Sequence, residues 1–274
     1  RQWAEEIVSY VDNDPRPVVK CKESRAITDL KDLLVSSAEL YGDNIAYLQK
    51  WDPKGEFQET TYRQALEDVN GLGTALLARG LGGKRVAVIG ENCYQWCSTY
   101  LAVTGGVGCI VPLDKELSAD ELKEQIKRAE VSCVVFAKKH EAVFRQIRDD
   151  GDTPLEFLVS FNAEEEKDGV LSWRGLIEEG GRMIGCGDRS YIDAEVDNEA
   201  MSILIFTSGT TGKAKGVMLC QKNICAELMI APTTFELRED DRYMSFLPLH
   251  HTYECTCCFL MAIYKGSSVG FCQG

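Results

Sequence analysis

Ile203-Leu204-Ile205-Phe206-Thr207-Ser208-Gly209-Thr210-Thr211-Gly212-Lys213-Ala214-Lys215-Gly216-Val217 decides how this chain is read. An apolar run with strand character empties into a stretch built almost entirely of Gly, Ser, Thr and Lys. Gly209, Gly212 and Gly216 let the backbone turn tightly and approach a ligand closely. The hydroxyls of Thr207, Ser208, Thr210 and Thr211, the ammonium groups of Lys213 and Lys215, and the backbone N–H groups around 209–212 together describe a concavity for phosphate oxygens.

The common nucleotide loops do not fit. A P-loop reads G-x-x-x-x-G-K-[ST]; from Gly209 the second glycine comes too early, and Ala214 follows Lys213 where a hydroxyl is needed. The dinucleotide fingerprint G-x-G-x-x-G fails at Gly71-Leu72-Gly73, because Leu76 stands where the third glycine belongs and the stretch reads as a helix. The order at 206–217 instead resembles the signature loop of the adenylate-forming superfamily, roughly [YF]-T-S-G-[ST]-T-G-x-P-K-G-[VI]. Only Ala214 departs from it, where the family usually has Pro; the change releases a fixed φ but removes no phosphate ligand. Lys84-Arg85-Val86-Ala87-Val88-Ile89-Gly90-Glu91-Asn92 is similar to an early strand-and-turn of that family. Asp43-Asn44-Ile45-Ala46 with Thr61-Tyr62-Arg63-Gln64-Ala65-Leu66 resembles its opening, and Leu247-Pro248-Leu249-His250-His251-Thr252-Tyr253-Glu254 resembles the motif that follows the phosphate loop, in the form carried by long-chain fatty acyl-CoA synthetases. The resemblance spans about 25–274.

The resemblance implies a fold, a reaction and a site. The fold is α/β, the large N-terminal domain of an adenylate-forming enzyme, with stacked αβα layers, mostly parallel sheets and a second sheet that is incomplete. Residues of about 71–230 would build the first layer, and 25–70 with 240–274 part of the second. The reaction is ATP-dependent activation of a fatty acid to acyl-AMP and then acyl-CoA, with ATP, Mg²⁺ and coenzyme A taking part. Thr207, Ser208, Gly209, Thr210, Thr211, Gly212, Lys213 and Lys215 would hold the nucleotide phosphates, Thr207 would touch Mg²⁺, and His251 and Lys215 would serve the chemistry. Two of the chain's three histidines, His250 and His251, fall in the second motif. A histidine at a strand end is ordinarily structural, and the motif is what shifts His251 toward a role at the carboxylate. Tyr253, Phe259, Leu260 and Ile263 are candidates for an acyl-tunnel lining, against the plainer reading of an apolar helical stripe as core. Cys255, Cys257 and Cys258 read as small core residues.

Composition limits the alternatives. The 274 residues are 45% hydrophobic and carry a formal net charge of −13, which argues against binding a nucleic-acid backbone. Twelve cysteines without regular small-domain spacing, and no visible secretory signal, read as reduced thiols in a cytoplasmic protein. No apolar run reaches the ~18–20 residues of a transmembrane helix, which leaves only peripheral membrane contact open.

Along the chain, strands are expected at 85–89, 109–113, 131–136, 155–161 and 201–207, with helices at 92–103 (capped by Asn92), 118–129 (opened by a Ser118/Glu121 capping box) and 140–148. That alternation reads as βαβ units on a parallel sheet. The acid-rich stretch 163–200 reads as solvated surface with a short helix near 173–179. A helix near 222–229, strands at 242–247 and 267–272, and a helix through 255–263 follow.

Two rivals share these motifs: a fatty acyl-AMP ligase that hands its acyl group to an acyl-carrier protein, and a nucleotide- or acyl-binding piece without turnover. The family's later motifs, for adenine, ribose and a catalytic Lys, find no match here, so this chain resembles a truncated N-terminal domain. It is expected to show little acid-dependent ATP–pyrophosphate exchange on its own; robust exchange by the 274-residue chain would overturn that expectation.

Overall fold

The structure, a computed structural model, describes residues 2–12, 24–50, 54–207, 214–233 and 237–271. In chain order the elements are α1 (Gln2–Asp12), α2 (Leu30–Tyr41), β1 (Ile45–Gln49), β2 (Gln58–Thr61), α3 (Tyr62–Ala78), β3 (Lys84–Ile89), α4 (Tyr94–Ala102), β4 (Gly108–Pro112), α5 (Ala119–Arg128), β5 (Val131–Phe136), α6 (Glu141–Asp149), β6 (Phe157–Ser160), β7 (Val170–Ser172) and α7 (Trp173–Gly185). After these come β8 (Met201–Thr207), β9 (Lys215–Cys220), α8 (Gln221–Ile230), β10 (Arg242–Ser245), α9 (Met261–Lys265) and β11 (Ser268–Phe271). They form two compact units. One holds Arg1–Leu66, Asp197–Ala200 and Leu219–Gly274, and the other Glu67–Val196 and Met201–Met218.

The larger unit is built on a seven-stranded sheet in the order β7-β6-β5-β3-β4-β8-β9. The pairings from β7 through to β8 are all parallel. A parallel strand in the middle of such a sheet is covered on both faces and so reads as an unbroken apolar run; Val86, Ala87, Val88 and Ile89 of β3 are fully buried. One core cluster gathers Val111, Val131, Val134, Phe136, Phe144 and Leu158. The expected capping box is present: the Ser118 hydroxyl accepts from the Glu121 N–H (3.4 Å), and the Glu121 carboxylate accepts from the Ser118 N–H (2.9 Å). The cap of α4 differs from expectation. Cys93, not Asn92, is the N-cap, and its side chain makes no capping hydrogen bond, because the helix begins one residue later than the pattern suggests.

The stretch 163–200 corrects a larger expectation. The expected helix is there but longer, a thirteen-residue α7 from Trp173 to Gly185, and in place of solvated surface the stretch also supplies β7 and a buried Tyr191 whose hydroxyl donates to the Ala102 carbonyl (3.0 Å). Trp173, Leu176, Ile177 and Gly180 of α7 are buried, and the charged residues occupy the remaining turns. The close approach of α7 to α3 depends on glycine. A Cβ at Gly180 would collide with the Gly71 carbonyl oxygen, and one at Gly73 with the Tyr191 ring.

The smaller unit carries a four-stranded sheet in the order β10-β11-β1-β2. β10–β11 and β11–β1 pair in parallel, and β1–β2 antiparallel. The segment 197–200 is stitched into this unit by Asn198, whose side-chain amide donates to the Thr28 carbonyl (2.8 Å). Nearby, the buried Gln221 side chain accepts from the Leu30 N–H (2.8 Å). Tyr62, fully buried, directs its hydroxyl at the Ser267 (2.6 Å) and Ala262 (3.0 Å) carbonyls, tying the start of α3 to the end of α9. Among the described residues no helix is long and apolar enough to cross a membrane.

Replacing Gly180 with Ala should destabilise the protein by about 1–3 kcal/mol through overpacking. Gly181→Ala, where an added Cβ meets nothing within 4 Å, should be neutral or stabilising by up to ~1 kcal/mol. Urea midpoints for the two variants give the comparison; equal midpoints would sink the packing argument.

Candidate functional site

β8 climbs out of the core. Ser202, Ile203, Leu204 and Ile205 are buried, Phe206 is half-buried and Thr207 is exposed. The strand pairs in parallel with β4 through Ile203 and Ile110. β9 is its neighbour on the other side, reached through the seven residues between Thr207 and Lys215. That connection is too short for a parallel crossover, so β9 runs back antiparallel to β8. Sequence reasoning did not anticipate β9 as a strand. The Thr207 hydroxyl points at the Lys215 carbonyl across a long 3.5 Å contact. Gly216 has a steric role: a Cβ there would press on Leu204 Cδ1 at 3.1 Å. The structure thus brings Thr207 and Lys215 together, both exposed, at the two ends of the phosphate motif. Ser208, Gly209, Thr210, Thr211, Gly212 and Lys213 lie outside the described residues.

His251 belongs to the smaller unit. β10 ends at Ser245, and a loop carries His250 and His251 into a π-helical segment, Glu254–Leu260. Such wide turns recur at functional sites. The loop is tied at both ends by one hydrogen bond, from the Ser245 hydroxyl to the Glu254 carboxylate (2.7 Å), with both residues buried. Within it, the His251 N–H donates to the Pro248 carbonyl (3.0 Å), and the His251 carbonyl accepts from the Cys255 N–H (3.1 Å). His251 is exposed, His250 is half-buried, and their rings lie 4.2 Å apart. Phe246, Leu247 and Tyr253 are exposed in the same loop. Phe259, Leu260 and Ile263 have essentially no exposed surface; they are core, which corrects the tunnel-lining expectation for those three. Cys255 and Cys258 are buried, as small core residues should be. Burial, and then the Glu254 carboxylate beside it, push the Cys258 thiol well above its ordinary range, which disfavours the thiolate.

One cluster went unread in the sequence. Glu91, just past β3, accepts hydrogen bonds from Lys115, past β4, and from Lys139, past β5 (2.7 Å). Partial burial raises the Glu91 carboxyl, but the two lysine hydrogen bonds outweigh it and hold the group below the usual carboxylate range. These residues lie 24 and 48 positions apart and meet only because β4 and β5 flank β3, which no local pattern signals. His140 sits nearby with its Nε2 buried and unpartnered. Burial, followed by the charge of Lys139, lowers its pKa, with Glu91 and Glu116 opposing and Lys115 adding to the depression.

His140 therefore holds a proton less readily in the fold than in the unfolded chain. Its contribution to stability is unaffected above the unfolded value of about 6.5 and turns unfavourable as pH falls below it. His140→Leu should gain stability relative to the parent between pH 7.5 and pH 5 in urea unfolding; a pH-independent difference would contradict this.

Comparisons with known proteins bear on both regions. The profile of the family described as AMP-binding enzyme matches residues 34–274. A crotonobetaine/carnitine–CoA ligase of Salmonella paratyphi A (strain ATCC 9150 / SARB42) is 28% identical over 245 residues, covering 88% of this chain and 45% of that protein. A protein of Humulus lupulus named as a probable CoA ligase is 29% identical over 235 residues, covering 80% of this chain and 34% of that protein. The chain thus spans between a third and a half of these curated relatives. Among solved structures, a long-chain-fatty-acid-CoA ligase from Archaeoglobus fulgidus superposes with a TM-score of 0.77 at 18% identity, covering 94% of this chain and 49% of that one. An anthranilate CoA ligase in complex with anthranoyl-AMP gives 0.77 at 21% identity, covering 90% and 45%. At such identities these two show the fold alone.

Proposed function

The chain belongs to the AMP-binding enzyme family, and from that membership we propose that it carries the ATP-phosphate site of an acid–CoA ligase acting on long-chain fatty acids. The observation that carries the proposal is the β8–β9 pair, which sets the exposed hydroxyl of Thr207 and the exposed Lys215 at the two ends of the Ser/Gly/Thr/Lys motif.

In the proposed reaction a carboxylate oxygen attacks the α-phosphorus of ATP, pyrophosphate leaves and acyl-AMP forms. The thiol of coenzyme A then attacks the acyl carbon and AMP departs. Such chemistry depends on positioning and on neutralising charge. Lys215 offsets negative charge on the phosphates; among the described residues its ammonium forms no ion pair. Ser208, Gly209, Thr210, Thr211, Gly212 and Lys213 are assigned to the same phosphates on their sequence order. Mg²⁺ is a hard cation that takes most of its ligands from phosphate and water, and the exposed Thr207 oxygen fits it as a single protein ligand. Among the described residues no group of three or more His, Cys, Asp or Glu could hold a metal. When bound, Mg²⁺ would neutralise phosphate charge.

His251 is assigned to orienting the substrate carboxylate. Its exposed ring, on a loop held at its base by Ser245 and Glu254, supports the role. The fatty-acid assignment is supported by the Leu247–Glu254 motif and by the exposed apolar side chains of Phe246, Leu247 and Tyr253 in the same loop.

Titration calorimetry tests the phosphate site. Lys215→Ala should weaken Mg·ATP binding about tenfold, or about 1.4 kcal/mol. With AMP present, a sixteen-carbon fatty acid should raise the melting temperature more than anthranilate does. Absence of Mg·ATP binding, or equal affinity in the variant, would overturn the phosphate assignment. A larger response to anthranilate would overturn the acid assignment alone.

A further inference from the structure

Arg128, the last residue of α5, touches both ends of the phosphate motif from outside it. Its Nη1 donates to the Ala214 carbonyl at 2.9 Å, and its guanidinium carbon lies 5.5 Å from the centroid of the Phe206 ring. Phe206 immediately precedes Thr207, and Ala214 immediately precedes Lys215. One planar cation therefore spans the gap between the end of β8 and the start of β9. Glu124, one turn earlier on α5, steadies the head group at 3.6 Å, and Phe206 packs in turn on the sheet's core.

We propose that Arg128 is a positioning residue that staples β8 to β9 and so fixes the separation of Thr207 and Lys215 for nucleotide binding. The claim about binding rests on the phosphate-site reading above; the claim about the staple does not. Two features of the contact explain why an arginine is used. Stacking on Phe206 needs a flat, delocalised cation, and the hydrogen bond to Ala214 needs an N–H projecting from its edge. The ammonium of a lysine cannot reproduce both contacts. Ala214 is also a residue whose φ is free, unlike a proline's. What restrains this residue is the hydrogen bond that its carbonyl accepts from Arg128 on the neighbouring helix. The side chain of Arg128 is 41% exposed, so its removal leaves no buried void and the fold should survive.

The test combines two readouts on the 274-residue chain. In the nucleotide-free protein, hydrogen exchange at the Thr207 and Lys215 amides, followed by NMR, should accelerate about tenfold in Arg128→Ala (about 1.4 kcal/mol of local opening). It should return to within about threefold of the parent in R128A combined with Ala214→Pro, which stiffens the backbone from within. Mg·ATP affinity should follow the same order: about tenfold weaker in R128A, intermediate in Arg128→Lys, and restored in R128A/A214P. Unchanged amide exchange in R128A overturns the staple whether or not nucleotide binds. Faster exchange with unchanged affinity overturns the positioning role. Full affinity in R128K with no rescue by A214P would mean that Arg128 acts only as a charge, and also overturns the proposal. A parent chain that binds no Mg·ATP defeats the phosphate-site reading instead, and the exchange experiment still decides the staple.

Discussion

The parallel pairing of β3 with β4 on one side and β5 on the other is the interaction on which the larger unit depends. A strand placed there loses water on both faces, so Val86–Ile89 have to be apolar throughout, and every connection leaving β3 has to cross a sheet face before the next parallel strand. Parallel strands also end on a common edge. The chain leaves β3, β4, β5 and β8 on that edge, at Ile89, Pro112, Phe136 and Thr207. Glu91, Lys115, Lys139 and Thr207 are consequently presented on one side of the sheet although they are scattered over more than a hundred positions. Ligands of open α/β sheets bind outside such carboxyl ends, so the choice of pairing already selects where chemistry can happen.

The smaller unit shows the same economy with different tools. Tyr62 holds the end of α9 through two carbonyls, and Ser245 holds Glu254. In both cases a buried polar group that would be costly if left unsatisfied finds a partner, far along the chain for Tyr62 and nine positions on for Ser245. The His250–His251 loop is thereby closed at its base by side chains, with Phe246, Leu247, His251 and Tyr253 exposed and Leu249 buried.

Much of this was legible in the sequence where a pattern is local. The strand of β8 followed by its Gly/Ser/Thr/Lys run, the Ser118/Glu121 box, and the alternation from β3 to β6 each need only a window of a dozen residues. The misses share a cause. The burial of α7 was missed because the acid-rich surroundings of its short expected helix mask a buried stripe of Trp173, Leu176, Ile177 and Gly180, and only the glycine contact with α3 shows why that stripe ends on a small residue. β9 escaped notice because its first residues, Lys215, Gly216 and Val217, were read as the end of the phosphate loop, so the short apolar run that continues to Cys220 was not read as a strand. Phe259 and Leu260 could be assigned to a tunnel or to a core equally well from spacing; burial decided for the core. Within the phosphate motif the residue types were plain from the sequence, while the contacts that reach Phe206 and Ala214 come from α5, about eighty positions away in the chain, and no motif contains them.

β9 also has a bearing on how the protein behaves in company. It ends the row of strands, and among the described residues no strand pairs along its outer side. Lys215, Gly216, Val217 and Met218 are exposed there, Met218 by 69%. An open, partly apolar edge is a template on which another chain can add a strand, and a lysine on such an edge is a common deterrent. Lys215 therefore stands under two demands at once: the proposed contact with anions, and the charge that discourages another strand from adding to an open edge. Any change that trades this charge for an apolar side chain leaves the edge more open to a neighbouring strand, whatever it does to the proposed phosphate contact.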